Sequence, residues 1–200
     1  MYRFTKFFLL MAFTMITSTG CIFFSAPPRL YLLEPIVDNQ SQRTPTQVQA
    51  IGVAVVNLPE YADTQSIATR LNDTRVVLSR HHTWAESPDT AITRVLADRI
   101  QAYTGSNVIV EPWPRGFDPE ARVEFDFDKL LRDESGGVEV SGQLRIISDD
   151  GDNVLAIRSF QAVRETSDDK SEDFFRAMSL AINDIARLTT STLLALEARN

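Results

Sequence analysis

The sequence contains little of the chemistry that supports cross-links, phosphate loops or catalysis. Its 200 residues include one cysteine, two histidines and eight glycines. A single cysteine cannot form a disulfide within the chain, which excludes a disulfide-stapled fold. The chain has no glycine-rich phosphate-binding loop and no Gly-x-Ser-x-Gly nucleophile motif. The sequence therefore predicts no enzyme activity.

Two segments suggest a metal site, but neither has the pattern that a site requires. His81 and His82 are adjacent in a segment with strand character, where successive side chains point to opposite faces. The segment Asp149–Asn153 resembles half of a calcium loop, yet it lacks the glutamate that an EF-hand needs at its twelfth position. These residue types also favour a hairpin turn. We therefore expect no metal and no cofactor.

The chain also lacks an excess of positive charge. Its formal net charge is −7. Arg3 and Lys6 lie in the N-terminal segment, so the remainder carries about −9. This balance argues against a nucleic-acid partner and against electrostatic binding to anionic lipid head groups.

Long apolar runs are absent except at the N-terminus. Arg3 and Lys6 precede an apolar stretch from Phe7 to Ile16, and small residues follow up to Gly20. This pattern is typical of a signal peptide over residues 1–20. The apolar stretch is shorter than the roughly 20 residues that span a bilayer.

Cys21 directly follows Gly20, and small residues before a cysteine resemble a bacterial lipobox, although Ser18 stands where an aliphatic residue is usual. That resemblance implies a diacylglyceryl group on the Cys21 thiol, cleavage before Cys21 and acylation of the new amine. Acyl chains would hold the protein on a membrane. The alternative is a secreted protein with an incidental or buried thiol. On the lipoprotein interpretation, residues 21–28 form a lipidated tether and residues 29–200 form one domain.

Apolar periodicity in the rest of the chain predicts the order β-β-β-β-α-β-β-β-β-α. Ser87 and Pro88 indicate a helix start, and Gly105 indicates its end. A second helix is predicted from Ser171 to Ala198. The predicted strands cover residues 29–33, 48–58, 66–71, 75–80 and 107–110, followed by a three-stranded meander within 121–164.

This order of elements favours an α/β (α+β) sandwich. We expect a mixed, mostly antiparallel sheet with two helices packed on one face.

Several side chains are candidates for a functional surface. Pro59, Tyr61, Trp84 and Trp113 lie near predicted loops, where they would line a partner or groove surface or else anchor loops against the core. Glu124, Asp126 and Asp128 alternate along one predicted strand face. That acidic row is the solvated face of an amphipathic strand, an interaction surface or, in a hydrolase, an acid–base group.

Short motifs follow one another along most of the chain. They are Tyr31–Pro35, Val53–Val55, Leu58–Asp63, Ile67–Arg70, Trp84–Glu86, Arg94–Leu96 and Val123–Asp126. In their order and spacing these segments resemble the ABC-type transport auxiliary lipoproteins, a group that includes the lipoprotein of the paraquat-inducible system. Ser87 departs from the family pattern, because the family has a proline directly after Trp-Ala-Glu.

The resemblance implies a periplasmic α/β domain and a non-catalytic role in an MCE-type (mammalian-cell-entry) system that moves lipids between membranes. The expected partner is the MCE-domain protein of the transporter. Because Ile22 rather than aspartate follows Cys21, the usual sorting rule favours the outer membrane, facing the periplasm. A homo-oligomer would suit a transport conduit. The alternatives are a stand-alone lipid-binding lipoprotein, an envelope-complex scaffold, and an envelope hydrolase that uses Asp126 and Asp128.

Overall fold

The computed structural model describes residues 27–36, 43–148, 150–151, 153–166 and 170–199. The predicted signal peptide, Cys21 and most of the predicted tether lie outside the described residues, as do Asp149 and Asp152 of the predicted turn.

Within these ranges the structure has eight strands and two helices in the predicted order. The bounds are β1 Arg29–Tyr31, β2 Ala50–Val53, β3 Ser66–Asn72, β4 Arg75–Trp84, α1 Pro88–Thr104, β5 Asn107–Val110, β6 Ala121–Arg132, β7 Val138–Ser148, β8 Val154–Arg164 and α2 Ser171–Glu197.

The predicted strand over residues 48–58 is too long. Regular pairing ends at Val53, and the chain then follows β6 irregularly. The backbone N–H of Ala54 donates to the Val123 carbonyl at 3.0 Å, and that of Asn57 donates to the Phe125 carbonyl at 2.9 Å. Between them, the Val56 N–H turns to the Thr93 hydroxyl of α1 at 3.0 Å. A continuous apolar run does not reveal such a diversion, because it depends on the helix above.

The longest strand, β6, is the centre of the sheet. On one side, β6 pairs antiparallel with β7 from its first residue to its last, and β7 pairs in turn with β8. The opposite edge is shared: the start of β6 pairs with β2, and Arg132 at its end pairs with Thr69 of β3. From β3 the sheet continues to β4 and β1, and from β2 it continues to β5.

The fold class is as predicted. The β1–β4, β2–β5, β2–β6 and β3–β6 pairs are parallel, whereas the β3–β4, β6–β7 and β7–β8 pairs are antiparallel and contain most of the paired residues. Helix α2 packs on β7 and β8, and helix α1 packs on β5 and on α2.

The core fills the layer between the sheet and the helices. Burying one large apolar side chain contributes about 1.5–3 kcal/mol, so this layer dominates the stability. The Tyr103 hydroxyl of α1 and the Asn183 amide oxygen of α2, 2.5 Å apart, add a buried hydrogen bond between the helices. Residues with no more than 2% exposure in this layer include Ile92, Leu96, Val123, Phe125, Leu144, Ile146, Ile182 and Ile185.

The ends of α1 follow the sequence, with one difference. Pro88 occupies the first turn, and Gly105 has the left-handed conformation (φ 75°) that ends the helix. Ser87 precedes the helix as predicted, but its hydroxyl contacts the Asp89 carboxylate and makes no capping bond to the backbone. In the described chain, neither helix has the length and apolar character needed to cross a membrane.

Candidate functional site

Residues 31–36 contact the sheet and side chains of both helices, although Leu32 and Glu34 are exposed. The Tyr31 ring lies 5.3 Å from the Phe175 ring and 5.6 Å from the His82 ring, with its hydroxyl 2.8 Å from His82 Nδ1. Leu33 is fully buried. The entry segment (residues 31–36) is therefore part of the domain rather than part of a free linker.

The entry segment leaves the sheet after Tyr31, and side chains of the helices donate hydrogen bonds to its backbone carbonyls. The Arg94 guanidinium donates to the Leu33 carbonyl at 2.9 Å and to the Glu86 carboxylate at 2.6 Å. Arg99 donates to the Ile36 carbonyl at 3.1 Å. The Ser179 hydroxyl donates to the Glu34 carbonyl at 2.6 Å. Because the segment has left the sheet, its carbonyls have no strand partner, and these side chains supply the hydrogen bonds instead. The bonds therefore fix the point where a tether joins the domain.

The structure contradicts a partner or groove surface at Trp84 and shows the alternative, a position in the core. Its side chain is 3% exposed and packs edge-on against the Phe175 ring, with the ring centroids 4.8 Å apart. Trp84 pairs with Tyr31 in the β1–β4 ladder, so it closes the core beneath the entry segment. Proximity to a predicted loop did not reveal that α2 covers this position.

Pro59 and Tyr61 lie together in the loop that precedes β3, and both are partly exposed. The Pro59 carbonyl accepts backbone bonds from Ala62 and Asp63, which closes a turn. The Tyr61 hydroxyl accepts a 3.4 Å bond from the Leu130 N–H of β6. Burial raises the pKa of Tyr61, against opposing effects of that hydrogen bond and of nearby cations. Tyr61 thus anchors its loop to the C-terminal half of β6.

Trp113 anchors a loop at the opposite end of β6. Its indole N–H donates to the Ile109 carbonyl at 3.2 Å, and the Arg122 guanidinium lies 4.8 Å from its ring centre. The ring covers Gly52, where an added Cβ would approach it to 2.6 Å. The structure therefore does not bring the four predicted surface residues into one site.

The acidic row on β6 is an ion-pair ladder. Arg145 of β7 lies 3.0 Å from the Glu124 carboxylate and 2.7 Å from that of Asp126. A bulge after Phe127 interrupts the alternation, so Asp128 does not continue the row in register. Across the described ranges, no group of three histidine, cysteine, aspartate or glutamate residues is arranged to hold a metal ion.

A second ion cluster joins β3, β6 and β7 and was not predicted. Glu139 lies 2.6 Å from the Arg70 guanidinium and 2.9 Å from the Lys129 ammonium. The hydrogen bond from Lys129 is the main cause that holds the pKa of Glu139 below its usual value, and the charge of Arg70 acts in the same direction. No local pattern marks this cluster, because its members come from three strands.

An open groove of about 400 Å³ runs between α1 and the edge strand β5. Its lining mixes aliphatic and polar side chains, including Val55, Val108 and Val110 on the sheet side and Thr90, Arg94 and Gln101 on the helix side. A shallow, mixed surface at a sheet edge suits a protein partner better than a buried apolar ligand. The layer between helices and sheet is occupied by the core side chains.

Comparison with known proteins connects this geometry to a family. The family model described as "ABC-type transport auxiliary lipoprotein component" matches residues 31–188, from the entry segment to near the end of α2. No curated protein matches the chain significantly.

Solved structures share the fold at low sequence identity. Protein XCC0632 from Xanthomonas campestris superposes with a TM-score of 0.70 at 13% identity, covering 86% of this chain and 98% of its own. The crystal structure of an uncharacterized protein gives a TM-score of 0.68 at 14% identity, covering 84% of this chain and 99% of its own. At these identities the likeness shows the fold alone.

Proposed function

We propose, on the premise that this chain belongs to the family of ABC-type transport auxiliary lipoprotein components, that it docks an MCE-type intermembrane lipid transport assembly at the outer membrane. Its family makes it a lipoprotein that assists a transporter. Beyond this family role, we propose that the transporter is of the MCE type, that the membrane is the outer membrane and that the anchor is lipid on Cys21.

The family match over residues 31–188 is the observation that carries this proposal. The entry segment supports it, because four hydrogen bonds hold that segment to the domain. One joins the Tyr31 hydroxyl to the His82 ring of β4, and three run from side chains of the two helices to backbone carbonyls of the segment. A chain anchored at Cys21 would therefore hold the whole domain at a limited distance from the membrane. The open groove beside α1 offers a surface for a periplasmic partner such as the MCE-domain protein.

A docking role requires no catalytic residue. Glu124 and Asp126 share the counter-ion Arg145, which leaves them as paired surface charges. The filled core favours docking over carriage of a lipid between helices and sheet. We therefore assign the protein no reaction and no cofactor beyond covalent lipid on Cys21.

The test is purification of a C-terminally tagged full chain in mild detergent from its native cell, followed by mass spectrometry of the retained proteins. We expect an MCE-domain protein together with its membrane components. Mass spectrometry of the N-terminal peptide should show an acylated Cys21. The matched control is Cys21→Ala, which should remain unprocessed and lose outer-membrane fractionation.

Recovery of bound lipid without any transporter component would contradict the docking role and would favour a stand-alone lipid carrier. Fractionation of the acylated protein with the inner membrane would contradict the outer-membrane assignment alone.

A further inference from the structure

One edge of the sheet carries exposed cations and exposed apolar side chains together. It consists of β1 with Leu32 and the β3–β4 hairpin, which we name the basic hairpin (residues 29–32 and 66–84). Asp73 is the only acidic residue in it. Its exposed arginines are Arg29, Arg75 and Arg80, and its exposed apolar residues are Leu30, Leu32, Val76 and Leu78, which are 65%, 57%, 37% and 47% exposed.

The three arginines are available to an external partner. Arg70, the fourth arginine of the basic hairpin, is paired with Glu139. Arg29, Arg75 and Arg80 have no ion pair within the part of the chain that the structure describes. A free cationic patch of this kind contrasts with the formal net charge of −7 of the whole chain.

The direction of β1 relates this patch to the chain that leads back to Cys21. Because β1 pairs parallel with β4, with Arg29 opposite His82, the N-terminal end of β1 points along β4 toward Arg75 and the turn. Seven residues of strand from Arg75 to His82 cover at most about 23 Å. Eight residues from Cys21 to Arg29 reach at most about 29 Å. An anchor at Cys21 and the turn of the hairpin can therefore meet the same surface.

Acidic residues also lie near the turn. Asp73 is in the turn itself, and Asp133 and Glu134 follow Arg132, whose partner in β3 is Thr69. The charge balance of the basic hairpin is nevertheless positive, since its three arginines without an ion pair in the described ranges outnumber Asp73.

We propose that the basic hairpin rests on the anionic lipid head groups of the membrane that carries the anchor. The anchor itself belongs to the proposed function above, whereas the contact of the hairpin is a separate claim. Arginines bind the head groups, and the exposed leucines and valines enter the interface beside them. The net acidic charge does not prevent this contact, because a surface interacts with the charges within a screening length and not with the sum over the chain.

The experiment places a fluorophore at each end of the sheet of the full lipidated chain. Thr74→Cys labels the hairpin turn, and Asp118→Cys labels the loop before β6, at the opposite end. Each protein is reconstituted on vesicles of phosphatidylcholine with about one third phosphatidylglycerol. Quenching by spin-labelled head groups reports contact. The parent chain has only the Cys21 thiol, so its failure to react with the label tests the anchor independently.

We expect strong quenching at Thr74→Cys and little at Asp118→Cys. Each arginine near an anionic surface contributes about a fivefold change in the docking equilibrium. Arg75→Gln with Arg80→Gln should therefore lower docking about 25-fold. The matched control is Arg115→Gln with Arg158→Gln, which removes the same charge from exposed positions elsewhere and should leave quenching unchanged.

Equal quenching at the two labelled ends would overturn the proposal. Equal quenching on vesicles of pure phosphatidylcholine, or equal effects of the two arginine pairs, would overturn it as well. Labelling of Cys21 in the parent chain would contradict the anchor. If Cys21 is labelled, the parent chain supplies the background signal. Quenching of Thr74→Cys above that background would still support the contact of the hairpin with the membrane, and quenching equal to the background would contradict it.

Discussion

Two of the antiparallel hairpins in the sheet, β7–β8 and β3–β4, relate to the rest of the molecule in opposite ways. In the β7–β8 hairpin, one face lies under α2 and alternate residues are buried, among them Leu144, Ile146 and Phe160. In the β3–β4 hairpin, most of β4 is exposed up to His81, including Val76 and Leu78. Similar backbone pairing thus supports a structural element in one place and a free surface in the other.

This difference shows that the number of apolar residues in a strand does not by itself indicate whether another element covers that strand. Both hairpins contain leucine and valine. In β7 they alternate with polar residues, which matches a covered face, whereas β4 has an apolar run from Val76 to Leu78. The outer strand β8 also exposes apolar side chains, namely Val154, Leu155, Ile157 and Val163. We therefore expect substitutions in the two hairpins to separate stability from surface function.

A leucine-to-alanine substitution in each hairpin should give the largest difference in the free energy of unfolding. Leu144→Ala removes a fully buried side chain, which typically costs about 2–5 kcal/mol, because the lost contacts leave a cavity. Leu78→Ala, at a side chain that is 47% exposed, should cost less than about 1 kcal/mol. Urea denaturation of the two variants gives both values. Similar losses of unfolding free energy would show that the β3–β4 hairpin is covered by something in the folded protein.

A glycine in β7 provides the next largest effect. Gly142 pairs with Phe127 beside the β6 bulge, and an added Cβ would clash with the Asp126 carbonyl oxygen and lie 2.7 Å from Phe160 Cζ. Because a backbone atom cannot yield easily, Gly142→Ala should cost about 2–3 kcal/mol. Thermal unfolding followed by circular dichroism measures the loss. The neighbouring Ser141→Ala is the control, and a Gly142→Ala protein as stable as that control would refute the close packing at this point.

The ion cluster between the two hairpins should have a smaller, pH-dependent effect. Glu139→Gln leaves Arg70 and Lys129 without their shared carboxylate and should cost about 1–2 kcal/mol at neutral pH. The pKa of Glu139 is lowered in the folded protein, so its contribution is present above the unfolded pKa and is lost as the pH falls through the folded pKa. The difference between wild type and Glu139→Gln should therefore shrink on acidification, as measured by denaturation at several pH values. A difference that grows toward low pH would contradict this sign.

The smallest effect on stability is expected for the exposed arginines of β4 in the basic hairpin. Arg75→Gln with Arg80→Gln removes exposed side chains without an ion pair in the described ranges, so the change in unfolding free energy should stay within about 0.5 kcal/mol. The same pair is expected to weaken membrane docking strongly. A large loss of stability in urea denaturation would show that these arginines support the fold and would remove the contrast with β7–β8.

Local patterns predicted much of the element structure. Alternation along β6 and β7 and the apolar stripe of α2 led to the correct order of strands and helices, since both periodicities arise from backbone geometry. Pro88 and Gly105 marked the ends of α1 for a similar reason. The extent of β2 was missed, and the burial of Trp84 stayed one of two alternatives, because Thr93 and Phe175 reach these positions from helices distant in the sequence.

The sequence by itself determined the order of elements, the fold class and the family, because propensity, periodicity and short motifs are properties of neighbouring residues. Only the tertiary structure decided that β2 and β3 share one edge of β6, that side chains of both helices bind carbonyls of the entry segment, and that Arg29 lies on the strand next to the hairpin that carries Arg75 and Arg80. Pairing between distant strands and the summation of charge in space depend on long-range closure of the chain. A net charge counted along the sequence cannot contain that information.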